Sequence, residues 1–329
     1  MSGGGADPFQ DYEPLGFEAG DANLYRYVRN SPTNATDPSG LTATYMEGGQ
    51  KKAATAELVK DLNLQQYNLP TDAYMRELAV AGITSAAKFE GLVRNIMDEI
   101  QKNKNVNFDF ASLTQYVNYA KYSAWVVVFA QQLQSKKCGF VGADGKLVFE
   151  GSECWESSDK VGYTRPKERE VMRQGLVLKK DVTPAKGIRE FFGEKGGKAT
   201  IDCATFQSLV SRRALLEVMG EKLYNETYKN VAVAGLHVTN DPFSYEIVKG
   251  SFLAILIPGM SARWHYEGGV GGPYENENTI FLGGVLFVGH PFDKPLNPTQ
   301  IRESIERATG IKGTKPDLVT SIDFQKLPK

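Results

Sequence analysis

Helical patterns come first in this chain and strand patterns follow, and that order limits the folds it can adopt. Residues 85–103 carry apolar side chains at a helical period, and residues 110–135 form a second, strongly apolar helical segment. Helices that precede an antiparallel sheet predict an α+β fold. The later elements are a helix at 183–194 with Pro184 near its start, a helix from Cys203, strands at 231–238 and 251–257, a hairpin at 278–290 and a helix at 299–309.

The segments between these elements have weaker patterns. GFVGADGKLVFEG, residues 139–151, predicts a hairpin with Asp144 and Gly145 at its turn. Residues 156–186 are charged and predict a loop, and residues 42–79 predict short helices and a linker. The chain is therefore divided into an N-terminal segment at 1–41, a linker at 42–79 and a folded domain at 80–329.

Composition excludes several classes of protein. The net charge of −1 offers no field for nucleic acid or an anionic membrane, and no apolar run is long enough to span a bilayer. The start MSGGGADPFQ has neither a basic nor an apolar region, so a soluble protein without a signal peptide is expected. Neither a disulfide framework nor a metal site is predicted from the scattered cysteines and histidines, which are Cys138, Cys154, Cys203, His237, His265 and His290.

Cys203 stands where a helix begins. Asp202 is a favourable N-cap residue, and apolar residues follow it at helical spacing. The free N–H groups and the positive end of a helix stabilise a thiolate, so this position predicts a lowered pKa for Cys203 and a nucleophilic role. A small buried side chain at a helix start is the competing interpretation, and position alone does not decide between the two.

The hairpin at 278–290 offers polar partners for the cysteine. Taking Gly283 and Gly284 as its turn and counting outward pairs Glu277 with His290. Cβ atoms of directly opposite residues on one face lie about 4.5–5.5 Å apart, so a carboxylate and an imidazole are expected to meet at the open end of the hairpin. Each residue alone also fits a structural role, His290 as a loop histidine with its hydrogen bonds satisfied and Glu277 as a solvated edge charge.

Residues 8–41 contain a pattern of glycine, asparagine, tyrosine and proline. It consists of Gly16, Gly20, Asn23, Tyr25, Tyr27, Val28, Asn30, Pro32, Asp37, Pro38, Gly40 and Leu41. This pattern resembles the characteristic end of the shell in RHS/YD-repeat proteins. In that family the pattern closes a β-shell, and a variable C-terminal toxin or effector follows it. The resemblance implies that 1–41 is a fragment of the RHS core, that the rest is cargo of the parent shell, and that Leu41–Thr42 is a cleavage site. A flexible, glycine-rich leader is the alternative.

Several separated segments lie between about residue 79 and about residue 311. They are NFDFASLTQYVNYAK, the pair CW, AKGIREFF, DCATF, LLEVMGEKLYN and NENTIFLGG followed by VGH. In their order and spacing they resemble the bacterial protein-glutamine γ-glutamyltransferases of the sporulation-associated type. This resemblance implies a transglutaminase-like catalytic domain at 80–329. The fold implied is that of papain-like and NlpC/P60-like thiol enzymes, in which a helix-borne cysteine packs on an antiparallel sheet behind N-terminal helices.

The resemblance also implies roles for individual residues. Cys203 would be the nucleophile and Glu277 its strand-borne partner. Asp202 would be a reserve base, one methylene shorter than the glutamate of the family, and His290 would orient or tune Glu277. Asn276 stands where the family has glycine.

The implied reaction is acyl transfer between proteins without a metal or an organic cofactor. A protein glutamine would form a thioester with the cysteine, and a lysine amine would then give an isopeptide crosslink. Together the two resemblances imply a bacterial toxin or effector that is secreted or delivered and acts in a reducing cytoplasm.

Three other functions fit the same residues. Attack by water instead of an amine would make the protein a glutamine deamidase. A cysteine hydrolase of the NlpC/P60 type would use Cys203 and His290 as its working pair. A non-catalytic interaction module would simply bury Cys203.

Overall fold

Helices and small sheets alternate along the chain in this computed structural model, which describes residues 43–61, 69–78, 82–103, 105–140, 146–164, 170–193, 198–229, 231–234, 244–249, 255–265, 276–310 and 312–328. The helices are α1 (Ala56–Asp61), α2 (Asp72–Leu78), α3 (Ala86–Lys102), α4 (Leu113–Ser135), α5 (Pro184–Phe192), α6 (Cys203–Met219), α7 (Glu221–Thr227) and α8 (Pro298–Thr309). The strands are β1 (Ala43–Glu47), β2 (Gln50–Ala53), β3 (Phe108–Phe110), β4 (Gly139–Phe140), β5 (Val148–Phe149), β6 (Trp155–Thr164), β7 (Glu170–Leu178), β8 (Ala199–Ile201), β9 (Ala232–Ala234), β10 (Ser244–Lys249), β11 (Ser261–His265), β12 (Asn276–Gly283), β13 (Leu286–Gly289) and β14 (Lys315–Ile322).

The apolar helix α4 is buried on nearly all sides and forms the centre of the core. It packs against α3 and α6, and its first turns also hold the C-terminal segment, because Gln115 Nε2 donates to the carbonyl of Gln325 at 3.3 Å and Asn118 Nδ2 to that of Pro328 at 3.0 Å. The sequence predicted that this helix would begin at 110. It begins at Leu113 because Ser112 is the N-cap, and Phe110 belongs to β3.

The largest sheet has five strands in the order β10-β14-β11-β12-β13, and every neighbouring pair is antiparallel. Helix α6 packs on α4 with one part of its surface and on β12 and β13 with another. The indole of Trp264 is fully buried, and its Nε1 donates to Thr279 Oγ1 at 2.8 Å. Helix α6 therefore lies between the central helix and the antiparallel sheet, which confirms the predicted mixture of helices and sheet.

Three smaller sheets have the orders β2-β1-β3, β4-β8-β5 and β6-β7-β9. The predicted hairpin at 139–151 is wrong, because β4 and β5 both pair with β8 and not with each other. Gly139 permits this pairing, since a Cβ there would lie 2.9 Å from Thr200 Oγ1. The predicted loop at 156–186 is wrong as well, because most of it forms the antiparallel pair β6 and β7, whose exposed Glu156 and Asp159 hid the strand pattern.

Elements with clear caps were predicted well. Helices α3, α5 and α8 are confirmed, and their N-caps Ser85, Thr183 and Asn297 each accept a hydrogen bond from a backbone N–H of the first turn. The predicted strand at 231–238 is confirmed as β9 over its first described residues. The strand predicted at 251–257 is wrong over 255–257, which lie outside any strand, and residues 251–254 are outside the described residues.

The predicted linker at 42–79 contains the short helices expected there, α1 and α2, and also the unexpected strands β1 and β2. Strand β1 pairs in parallel with β3, so this segment shares a sheet with the following domain. The division at 41 and 79 stays a prediction.

The RHS-like pattern at 8–41 and the Leu41–Thr42 bond lie outside the described residues. Among the helices that the structure describes, none is long and apolar enough to cross a membrane.

Gly259 is required where the chain approaches α4 most closely. It has a φ of 90°, and a Cβ at this position would lie 2.7 Å from the carbonyl oxygen of Ser123. We expect Gly259→Ala to lower the free energy of unfolding by about 1–3 kcal/mol, because both the backbone conformation and the contact become strained. The matched control is Gly91→Ala in α3, where nothing lies within 4 Å and stabilisation by about 0.5–1 kcal/mol is expected. Urea titration measures both values, and equal effects would contradict the prediction.

Candidate functional site

Asp202 and Cys203 begin helix α6, as the sequence predicted. The side chain of Asp202 accepts a hydrogen bond from the backbone N–H of Thr205 at 2.6 Å, and Cys203 is the first helical residue. Both residues are buried, with 4% and 2% of their surface exposed. One carboxylate oxygen of Asp202 is thus engaged as the helix cap.

The sulfur of Cys203 contacts polar atoms of strand β12. Sγ donates weakly to the carbonyl oxygen of Asn276 at 3.5 Å and accepts from Asn278 Nδ2 at 3.2 Å. Between these two asparagines lies Glu277, which is 3% exposed and interacts electrostatically with the thiol. The structure therefore brings Cys203, Asp202 and Glu277 together, and the buried sulfur faces polar groups.

Burial raises the pKa of the Cys203 thiol well above its ordinary value, and the charges of Glu277 and Asp202 raise it further. The side chain and backbone N–H of Asn278 lower it, but by less. The prediction of a lowered pKa was wrong, because desolvation and two carboxylates outweigh the positive end of the helix. At neutral pH the resting thiol keeps its proton, which agrees with its hydrogen bond to the carbonyl of Asn276.

Glu277 has the buried carboxyl group that a proton acceptor at neutral pH requires. Burial raises its pKa well above the ordinary value, the charge of Asp202 raises it further, and a hydrogen bond from the backbone N–H of Asn278 lowers it. Its Oε1 is buried and has no hydrogen-bond partner within the described residues. A carboxyl group with a raised pKa and a free oxygen can take a proton from a neighbouring thiol and return it.

The predicted pairing of Glu277 with His290 is wrong. In the hairpin, Thr279 pairs with Gly289 and Gly283 with Leu286, and a bulge interrupts the ladder between Phe281 and Gly283. The turn is therefore formed by Gly284 and Val285, one position later than expected. Gly284 has a φ of 60°, as a type II′ turn requires at its first central position. Glu277 instead lies opposite Trp264 of β11.

His290 lies against β4, β8 and the first turn of α6. Its Nε2 hydrogen-bonds to the carbonyl oxygen of Gly139 at 3.1 Å, and its ring is nearly parallel to that of Phe206, with 6.3 Å between the centroids. Burial lowers the pKa of His290, which the carbonyls of Gly139 and Ile201 and the charge of Asp202 partly offset. No contact joins it to Glu277 in the described part of the chain. The imidazole lies near Asp202, and its lowered pKa keeps the ring mostly neutral at pH 7.

No role was predicted for three residues of β11 and β12, which are His265, Asn276 and Asn278. Asn276 and Asn278 flank Glu277, and the side-chain Oδ1 of Asn276 lies 3.0 Å from His265 Nδ1 at the end of β11. Asparagine is uncommon in strands, so two asparagines on either side of one glutamate could have indicated a functional segment in the sequence. His265 gave no such signal, because only the pairing of β11 with β12 brings it to Asn276.

No three side chains of His, Cys, Asp or Glu in the described ranges are grouped closely enough to hold a metal ion. The available chemistry is that of a thiol, a carboxyl group and amide donors. A cysteine beside a buried carboxyl group combines a nucleophile with a proton acceptor, which is the pair that covalent acyl transfer needs.

Comparison with known proteins gives the family. The family model for TGL, protein-glutamine gamma-glutamyltransferase, matches residues 76–303, which is more than half of the chain. The chain therefore belongs to the protein-glutamine γ-glutamyltransferase family and is an acyltransferase of the transglutaminase type.

A solved structure has a similar fold. It is the transglutaminase from Geobacillus stearothermophilus without its C-terminal extension, at 22% sequence identity and a TM-score of 0.50, and the match covers 64% of this chain and 94% of that one. None of the curated proteins compared with the chain matches it.

The raised pKa of Glu277 makes stability depend on pH. Between the ordinary glutamate pKa of 4.5 and the raised value in the folded protein, the folded state keeps a proton that the unfolded state has lost. Stability therefore falls as the pH rises through this range. We expect Glu277→Gln to remove this dependence, so that its melting temperature exceeds that of the wild type at pH 8 by more than at pH 4.5. Scanning fluorimetry measures this, with the exposed Glu303→Gln as the control. Parallel pH profiles for wild type and Glu277→Gln would contradict it.

Proposed function

We propose that the protein crosslinks other proteins by joining the γ-carboxamide of a glutamine to the amine of a lysine through a thioester on Cys203. The observation that carries this proposal is the position of the Cys203 sulfur, which lies 3.2 Å from Asn278 Nδ2 and next to the buried carboxyl group of Glu277. A nucleophile, a base and an amide donor are the groups that acyl transfer needs.

The first half-reaction forms the thioester. Glu277 takes the thiol proton, and Sγ of Cys203 attacks the side-chain carbonyl carbon of the substrate glutamine. Asn278 Nδ2, already a donor to the sulfur, is placed to donate to the oxyanion that develops on the attacked carbonyl. The carbon–nitrogen bond then breaks, and ammonia leaves with the proton that Glu277 returns.

The second half-reaction transfers the acyl group. A lysine amine attacks the thioester carbonyl, Glu277 accepts a proton from the attacking nitrogen, and the isopeptide forms as the thiol is released. Cys203 and Glu277 are 2% and 3% exposed, so the site admits little water. This burial favours an amine over water as the acceptor, and therefore crosslinking over deamidation.

Asp202 and His290 are proposed as positioning residues for this reaction. Asp202 caps α6 and so fixes the residue that carries the sulfur. His290 connects the carbonyl of Gly139 on β4 to the first turn of α6 through its ring contact with Phe206. A hydrolase with a Cys203–His290 pair is less well supported, because no contact joins the imidazole to the Cys203 sulfur in the described part of the chain.

Incorporation of a fluorescent amine into a glutamine-containing protein tests this function. We expect Cys203→Ala to abolish incorporation and Glu277→Gln to reduce it by about 10²–10⁴-fold, the usual contribution of a general base. Mass spectrometry of the product should show the summed mass of the reactants less one ammonia. Substantial activity of Glu277→Gln would instead favour a cysteine–histidine mechanism, and loss of ammonia with no amine incorporated would favour deamidation.

We further propose that the enzyme is an effector released from the shell of an RHS protein. The compact unit that contains the site begins at Thr42, the residue after the proposed cleavage position. The reactive cysteine is one of three free cysteines in the described residues, which is compatible with action in a reducing compartment.

Growth of bacteria that produce the chain in their cytoplasm tests the effector role. Wild type is expected to slow growth, because crosslinked proteins accumulate, and Cys203→Ala at equal abundance should not. Equal growth of the two strains, with active wild-type enzyme in the lysate, would contradict the toxic role and leave the chemistry intact.

A further inference from the structure

The hairpin formed by β1 and β2 presents a glutamine at its tip. Gly48 and Gly49 form the two-residue turn, with φ values of 57° and 78°, and Gln50 follows as the first residue of β2, opposite Glu47. Positive φ at both turn residues is the requirement of a type I′ turn, so the hairpin is tight and Gln50 has a fixed position. Its side chain is exposed and makes no hydrogen bond within the described residues.

Gln50 differs in this respect from the other exposed glutamines of the described ranges. Gln300 is part of a capping box, in which its Oε1 accepts from the backbone N–H of Asn297 at 3.0 Å. Gln325 donates from Nε2 to the carbonyl oxygen of Asp109. A carboxamide that already makes a hydrogen bond must break it to enter another site, whereas that of Gln50 is free to react.

The lysines beside Gln50 are both engaged in ion pairs. Lys51 Nζ lies 2.6 Å from Asp109 Oδ1, and Lys52 forms an ion pair with Glu47. The hydrogen bond and charge of Glu47 raise the pKa of Lys52. An ammonium group has no free electron pair for attack on a thioester, so the tip of the hairpin offers an acyl donor in preference to an acyl acceptor.

The base of the hairpin is anchored in the core. Ala43 is fully buried, Tyr45 is 5% exposed, and β1 pairs in parallel with β3. Gln50 itself has no contact with the buried sulfur of Cys203 in the described part of the chain. Since the hairpin is fixed in its sheet, Gln50 must enter the site of a second copy of the chain. Loop tips of this kind are the parts of a fold most accessible to enzymes.

We propose that Gln50 is an acyl-donor substrate of this enzyme, modified by Cys203 of another copy. This inference rests on the proposed transglutaminase chemistry. The sulfur attacks the side-chain carbonyl carbon of Gln50, the bond to nitrogen breaks, and ammonia leaves. A primary amine then attacks the thioester, forms the isopeptide and returns the thiol. When the amine is a lysine of another protein, the enzyme becomes covalently attached to it.

A fluorescent primary amine and peptide mapping by mass spectrometry test the proposal. The wild type, incubated with the amine, is expected to carry the label at Gln50 and not at Gln300 or Gln325. Gln50→Asn should reduce incorporation into the enzyme by about tenfold or more, because one methylene in a fitted site is worth roughly 10–200-fold. Gln300→Asn is the matched control and should leave self-labelling unchanged.

Mixing two variants tests reaction between copies. Gln50→Asn keeps the site and lacks the donor, whereas Cys203→Ala keeps the donor and lacks the nucleophile. In the mixture, label is expected on Gln50 of the Cys203→Ala chain. An unfolded glutamine-containing protein is added in parallel as an external substrate. External labelling without label at Gln50 overturns this inference alone, and failure of wild type on both substrates overturns the proposed function.

Discussion

The contact between the Cys203 sulfur and strand β12 joins the helices α4 and α6 to the five-stranded sheet. Helix α6 is fixed on one side by the buried helix α4, and its first residue reaches the backbone and side chains around Glu277. The Asp202 cap determines where the helix begins and therefore which atom faces the strand. A change in the start of α6 or in the register of β12 would separate the thiol from its carboxyl partner.

The same contact explains why the Cys203 thiol and the Glu277 carboxyl group both resist ionisation. A buried thiol and a buried carboxyl group each disfavour ionisation, and each disfavours it more when the other is charged. Ionisation of either group is therefore costly, and the thiol proton moves to an ionised Glu277 carboxylate only as the sulfur bonds to a substrate carbonyl. Glu277 Oε1 is buried without a hydrogen-bond partner among the described residues, and a catalytic role is one explanation for such a group.

Local sequence patterns predicted the parts of the structure that depend on local chemistry. Asp202 caps α6 as predicted, and the caps Ser85, Thr183 and Asn297 lie within about two residues of the predicted helix starts, because a capping side chain acts on its own first turn. Pairing between strands was predicted poorly. The insertion of β8 between β4 and β5 depends on residues about fifty positions apart, and the bulge at Leu282 shifts every later pair by one residue.

The pKa values at the site could be predicted only in part, because they too depend on contacts between distant segments. The helix end near Cys203 is visible in the sequence, but the burial that reverses its effect on the thiol pKa arises from packing against β12. Likewise, the role of Glu277 as the partner of the cysteine was implied by a resemblance. The contact of His290 with Gly139 could not be predicted, because it depends on strand pairing that no local pattern indicates.

The hydrogen bonds between the first turns of α4 and the carbonyls of Gln325 and Pro328 determine when the fold can be completed during synthesis. During synthesis, α4 leaves the ribosome long before residues 325–328 do, so its N-terminal end stays uncovered until those residues have emerged. Helix α6 packs on α4, and the thiol reaches its final surroundings only after both are in place. The nascent chain thus carries Cys203 in an unfinished site until residues 325–328 have packed against α4.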